Sequence, residues 1–133
     1  MKTEIKKTDK NGNISYYNEK DQYHRDNGLP AVEYSNGYKA WYVDGKRHRE
    51  DDLPAIEGAD GYKEWRVNGK LHREGGLPAV EYADGYKAWY VNGVEMTEAE
   101  AKKMFAKPKP SKTIDIDALN AAILPLGYKI VKV

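Results

Sequence analysis

Three histidines, His24, His48 and His72, recur 24 residues apart, each followed by an arginine: Arg25, Arg49 and Arg73. Imidazole binds metals and moves protons near neutral pH, so this ladder is the first place to look for chemistry. If each interval folds into two strands spaced ~4.8 Å apart, equivalent positions stand ~10 Å apart. Metal–nitrogen bonds of ~2 Å cannot span that. The histidines are therefore expected to be structural rungs whose rings bond loop backbone. Arg25–Asp26, Arg49–Glu50 and Arg73–Glu74 are expected as ion pairs between units, each worth little at a surface. Glu50-Asp51-Asp52 lacks the alternating ligand spacing of a calcium loop and reads as a solvated cluster.

Other reactive types are scarce. Ser15, Ser35 and Ser111 sit outside any nucleophile elbow, and there is no cysteine. No glycine loop that would cradle a phosphate leads into a helix. Carboxylates abound, but nothing singles out two of them for glycoside chemistry. The expectation is a protein that is not an enzyme and uses neither cofactor nor metal.

The elements that must position these residues come from an internal repeat. His24–Arg47, His48–Leu71 and His72–Glu95 align without gaps, and 12 of their 24 columns are identical. Asn36-Gly37, Asp60-Gly61 and Asp84-Gly85 are tight-turn dipeptides, and Asp44-Gly45, Asn68-Gly69 and Asn92-Gly93 form a second set. Between the sets lie Tyr38–Val43 and its copies, aromatic and β-branched and of strand length. Leu29-Pro30, Leu53-Pro54 and Leu77-Pro78 cannot lie inside a paired strand, because proline lacks the amide donor, and they mark where a strand begins. The fold expected is mainly β: a single-layer antiparallel sheet of stacked β-hairpin repeats with a small C-terminal α/β appendage. Residues 1–23 read as a degenerate half-repeat, with Tyr16-Tyr17 in the place of Trp41-Tyr42, blunting the sheet edge.

Alternation along each strand sorts the repeat into two faces. Lys39, Trp41 and Val43 share one face with their copies around Trp65 and Trp89, and this unvarying face is expected to be packing. The opposite face carries Tyr38, Ala40 and Tyr42, then Tyr62, Glu64 and Arg66, then Tyr86, Ala88 and Tyr90. On the neighbouring strand Tyr34 and Tyr82 are interrupted by Gly58. The central copy thus trades two tyrosines and an alanine for Gly58, Arg66 and Glu64. One reading is a shallow binding site: space at Gly58, the Glu64–Arg66 pair, and flanking Tyr34, Tyr42, Tyr82 and Tyr90. Arginine between aromatic rings suits a carboxylate, a phosphate or an aromatic side chain. The plainer reading is a solvated ion pair.

Composition bounds the rest. The 133 residues carry a net charge of +1, and 11 Tyr and 3 Trp stand against 1 Phe. Residues 24–95 hold ten Lys and Arg against thirteen Asp and Glu, a balance of −3, which argues against nucleic acid as the partner. No apolar run reaches membrane-span length, so a cytoplasmic location is the default. Beyond the repeats, Thr97-Glu98-Ala99-Glu100 is a capping box opening a short helix within 96–106. Its Ala101, Met104 and Phe105 fall on one side. A Pro/Lys linker follows at 107–112, then a strand–helix–strand element at 113–133. That element is too short to bury its own core, and is read as a cap on the last hairpin or as a docking or homo-oligomer element.

Tyr86-x-Ala88-x-Tyr90-x-Asn92-Gly93, Asn68-Gly69-Lys70-Leu71-His72 and Tyr82-Ala83-Asp84-Gly85 resemble the MORN repeat family and its His-Arg-rich variants associated with phage and large-virus proteins. The resemblance covers roughly residues 11–95. Ala40 and Glu64 stand where that family has a small glycine, and the tryptophan sits one place early. It implies a solenoid of hairpins that associates with proteins or membrane surfaces. The expected function is a protein-binding repeat module, by analogy a phage or mobile-element factor that inhibits a host protein. The alternatives are a binder that sequesters nucleotides or other small molecules, and a structural or membrane-surface protein.

Overall fold

The structure, a computed structural model, describes residues 4–106. The chain opens with a hairpin of β1 (Ile5–Thr8) and β2 (Ile14–Tyr17). The first repeat gives β3 (Val32–Glu33), β4 (Lys39–Ala40), β5 (Tyr42–Val43) and β6 (Lys46–Arg47). The second gives β7 (Ile56–Glu57), β8 (Lys63–Glu64), β9 (Arg66–Val67) and β10 (Lys70–Leu71). The third gives β11 (Val80–Glu81), β12 (Lys87–Val91) and β13 (Val94–Met96), followed by α1 (Glu98–Met104). The architecture is mainly β, built from antiparallel hairpins. Nine strands form one open sheet in the order β1-β2-β3-β4-β7-β8-β11-β12-β13, and β5–β6 and β9–β10 are separate two-stranded ribbons. No helix among the described residues is long and apolar enough to cross a membrane.

Each of the first two repeats therefore makes two hairpins where alternation implied one, and the expected strand Tyr38–Val43 is broken at Trp41. The reason is a change of partner. The Trp41 amide donates to the Ala55 carbonyl of the next repeat (2.8 Å), while its own carbonyl accepts from His48 (3.1 Å) at the far side of the ribbon. Trp65 does the same with Ala79 and His72. In the third repeat no further copy follows, and β12 runs unbroken into its pairing with β13. The two turn sets also differ. At Asn36-Gly37 only the glycine is left-handed (φ 91°), and the Asn36 side chain accepts from the Tyr38 amide. At Asp44-Gly45 both residues are left-handed (φ 47° and 81°), the two-residue turn whose twist matches a tight ribbon.

The break also overturns the expected faces. Lys39, Lys63 and Lys87 are exposed and paired in register with Glu33, Glu57 and Glu81. Val43 is exposed as well. The packed row is the other one: Val32, Ala40, Ile56, Glu64, Val80 and Ala88 lie side by side across the sheet and are all buried. Tyr38, Tyr42 and Tyr62 pack half-buried against its Val32–Ala40–Ile56 part. Trp41 and Trp65 are buried too, because the chain turns at them.

Successive repeats are joined through the His-Arg step. The Arg49 guanidinium lies 3.7 Å from the Trp41 ring centre and Arg73 lies 3.8 Å from that of Trp65. Both also donate to the carbonyl of their own repeat's proline, Pro54 or Pro78. Arg25 stacks likewise on Tyr16 (3.6 Å), and the Tyr16 amide donates to Ala31 just as Trp41 donates to Ala55. Tyr16 thus fills the tryptophan place. The full hairpin upstream, with β1, was not expected: Lys6-Lys7 carries no apolar alternation.

The arginines do not pair with the acids beside them. They reach Glu33, Glu57 and Glu81, and Arg73 also takes Asp52 (3.0 Å). Asp26 and Glu50 instead accept from the Nε2 of His24 and His48 (2.8 and 2.6 Å), and Glu74 faces His72. Each imidazole Nδ1 accepts a backbone amide at the ribbon turn, from Asp44, Asn68 or Asn92, all at 3.0 Å. Removing His48 as His48→Ala should cost about 1–2 kcal/mol in urea unfolding. His48→Asn, whose Oδ1 can replace Nδ1 as acceptor, should cost less; equal losses would reject the rung role.

Helix α1 begins where the capping box placed it, with the Thr97 side chain accepting from the Glu100 amide. It packs on β12, burying Ala101 and reducing the exposure of Val91 to 8%, against 41% for Val43 and 38% for Val67. Its Lys102 backbone passes so close to Gly76 that a side chain there would lie 3.0 Å from the Lys102 Cα. The second repeat, uncovered at this place, carries Asp52. Met104 is exposed, contrary to the expected apolar side. The linker at 107–112 and the element at 113–133 lie outside the described residues.

Candidate functional site

The central repeat departs from its neighbours on the face that carries the tyrosines. Register puts Glu64 between Ile56 and Val80, in an otherwise apolar row, and the residue is only 9% exposed. A carboxylate there needs partners. It has two: the Tyr62 hydroxyl donates to one oxygen (2.6 Å) and Arg66 Nε to the other (2.7 Å). Arg66 also donates from Nη1 to the Gly69 carbonyl (2.8 Å), which fixes its fork. The pair is therefore not simply solvated: a buried carboxylate is held by the half-buried side chains of Tyr62 and Arg66 in a hydrogen-bonded triad.

Burial alone would push the Glu64 carboxyl up. The hydrogen bonds from Arg66 and Tyr62, with the charges of Arg66 and Arg47, outweigh it, and the group titrates below its ordinary range. The Tyr62 hydroxyl moves up, first by burial and then by donating to Glu64, so it stays a donor. The sign for stability follows. A carboxyl lowered in the folded state contributes fully above its unfolded value and loses that contribution as pH falls through the folded one. Stability should thus fall more steeply with acidification below about pH 4.5 in the native chain than in the double variant Glu64→Ala/Arg66→Tyr. Parallel slopes in pH-dependent urea unfolding would contradict this.

The expected space at Gly58 is filled. Tyr38 lies over it: a Cβ on Gly58 would sit 2.9 Å from the ring and 2.5 Å from Asp60 Oδ1. Removing a tyrosine from this place lets Tyr38 approach Tyr62 across the strand, with ring centres 6.4 Å apart. Tyr62 meets Tyr82 edge-on (5.0 Å), and Tyr82 meets Tyr86 (5.5 Å). The result is a continuous run of four rings, whose far members Tyr82 and Tyr86 are exposed, Tyr86 by 58%.

The remaining candidates are dispersed. Tyr42 accepts from Arg47 Nε (3.0 Å) and lies 5.1 Å from the Tyr23 ring. Tyr90 stands opposite Glu95, with its hydroxyl pushed up by burial and then by that charge. Tyr34 is exposed and borders a groove of 390 Å³ beside the triad, which Tyr38, Arg47, Ile56, Tyr62 and Glu64 also line. Arg47, Tyr38 and Tyr62 were not singled out from sequence. A signal for Arg47 existed: its column reads Arg47, Leu71, Glu95, different in every copy.

For metals, the acidic cluster is already engaged, Glu50 by His48 and Asp52 by Arg73. Among the described residues, no group of three His, Cys, Asp or Glu side chains is placed to hold an ion. Comparison with family models, curated proteins and solved structures finds no match to this chain.

Proposed function

We propose that this chain is a non-enzymatic binding module that holds a protein partner against its tyrosine face. The run Tyr38–Tyr62–Tyr82–Tyr86 supports the reading. Tyrosine offers large contact area at low conformational cost and keeps a hydroxyl for hydrogen bonding, the combination that protein interfaces favour. Tyr38 and Tyr62 are braced from below by the buried row, and Tyr62 also by its hydrogen bond to Glu64, so this half of the run is ordered before a partner arrives. The relation to MORN-like solenoids belongs to the same proposal and rests on the repeat pattern alone.

The test is affinity capture from cell lysate by the tagged full chain, beside Tyr82→Ser/Tyr86→Ser. The reading expects a stoichiometric protein band with the native chain and its loss with the variant. No band, or one indifferent to the variant, would reject it. A second reading, a small-molecule or nucleotide binder, is favoured by Arg47 at a tyrosine-bordered groove. Thermal stabilisation by nucleotides in the absence of any captured protein would select it.

A further inference from the structure

The charges around the groove do not balance. Arg47 and Arg66 both face one carboxylate, Glu64, and its two oxygens are already taken by Arg66 and Tyr62. Arg47 is half-buried, and its Nε donates to the neutral Tyr42 hydroxyl. Among the described residues no carboxylate lies within ion-pair distance of Arg47, although the arginines of the His-Arg steps and Arg66 all have one. The cluster thus holds two guanidinium charges against one carboxylate, and its Arg47 and Glu64 line a groove bordered by Tyr34, Tyr38 and Tyr62.

Resting on the protein-binding reading above, we propose that this groove is the anchor point for a partner's Asp or Glu carboxylate. The carboxylate pairs with the Nη edge of Arg47, and an adjacent apolar or aromatic residue of the partner lies against Tyr34, Tyr38 and Ile56. Arginine presents a planar fork that matches a carboxylate, and the tyrosine rings bordering the groove offer the partner's neighbouring side chain an apolar surface. Glu64 sharpens the choice. Its oxygens are taken by Arg66 and Tyr62, so it leaves the Nη edge of Arg47 unoccupied, and its charge disfavours a second carboxylate placed over Arg66. Arg47→Leu is a tolerable variant, since Leu71 fills the same place in the next repeat.

The probe is a pair of capped peptides, acetyl-Ala-Phe-Asp-Ala-amide and its Asn counterpart, with phenyl phosphate as a third arm. Each is titrated into the full chain and followed by NMR at the arginine Nε–H and tyrosine ring signals. The acidic peptide should shift the Arg47 and Tyr38 signals and bind about tenfold more tightly than the Asn peptide, equal to ~1.4 kcal/mol. The difference should vanish in Arg47→Leu and persist in part in Arg47→Lys. Equal binding of both peptides, no shift at Arg47, or phenyl phosphate binding about tenfold better than the acidic peptide would each overturn the proposal, the last in favour of a phosphate ligand. Affinity capture separates this from the broader reading: a partner retained equally by the native chain and Arg47→Leu sinks the groove but not the module.

Discussion

Arg66→Tyr, which restores the residue of the flanking repeats, should lower the unfolding free energy by about 3 kcal/mol. The loss comes from what remains. Glu64 stays buried between Ile56 and Val80 with only the Tyr62 hydroxyl on it and Arg47 at a distance. The double variant Glu64→Ala/Arg66→Tyr should return to within about 1 kcal/mol of the native chain, because a well-packed apolar replacement of a buried pair is often neutral or better. Urea unfolding of both variants and of Glu64→Ala gives the coupling as a double-mutant cycle. A cost for Arg66→Tyr under about 1 kcal/mol would mean that the pair is not the brace described. If the double variant is as stable as the native chain, the triad's presence is better explained by what the face binds than by what the fold needs.

The second large effect lies at the joint between repeats. Trp65→Ala should cost about 3–5 kcal/mol. Three things go at once: a buried ring, the stacking surface beneath Arg73, and the indole donor to the Asp52 carbonyl (3.0 Å). Trp65→Tyr should cost much less, since Tyr16 already serves the same arginine step under Arg25. Trp89→Ala should be the mildest of the tryptophan truncations, because Trp89 is less buried than Trp41 and Trp65. Urea unfolding ranks the variants; a Trp89 loss as large as that at Trp65 would refute the stacking account.

Much of this was readable from the chain. The 24-residue period, both turn dipeptides, the proline positions and the Thr97 capping box are local signals, and local physics places them. The faces were not readable, because alternation assumes a strand that keeps one partner on each side. Trp41 breaks that assumption by passing its amide to the next repeat and its carbonyl to the ribbon. Non-local choices failed in the same way. Asp26 and Glu50 sit beside arginines in sequence, yet the histidine ring that caps the turn reaches them first. Glycine at 58 reads as empty space, whereas a neighbouring strand supplies the ring that fills it. The oddness of the central copy was visible as a column difference. Its burial, which turns a surface pair into a brace, was not.

The His-Arg step gives the molecule a direction. Every arginine clamps the aromatic ring of the block before it, so a block is completed by its successor and the final one by helix α1. A fourth 24-residue block spliced between Arg47 and His48 would meet identical junctions at both ends and should lengthen the array without new contacts. The end piece is more selective: Lys102 of the helix lies against Gly76, where the second block carries Asp52 and the first carries Gly28, so α1 fits behind a block that begins with glycine at this place and not behind the second.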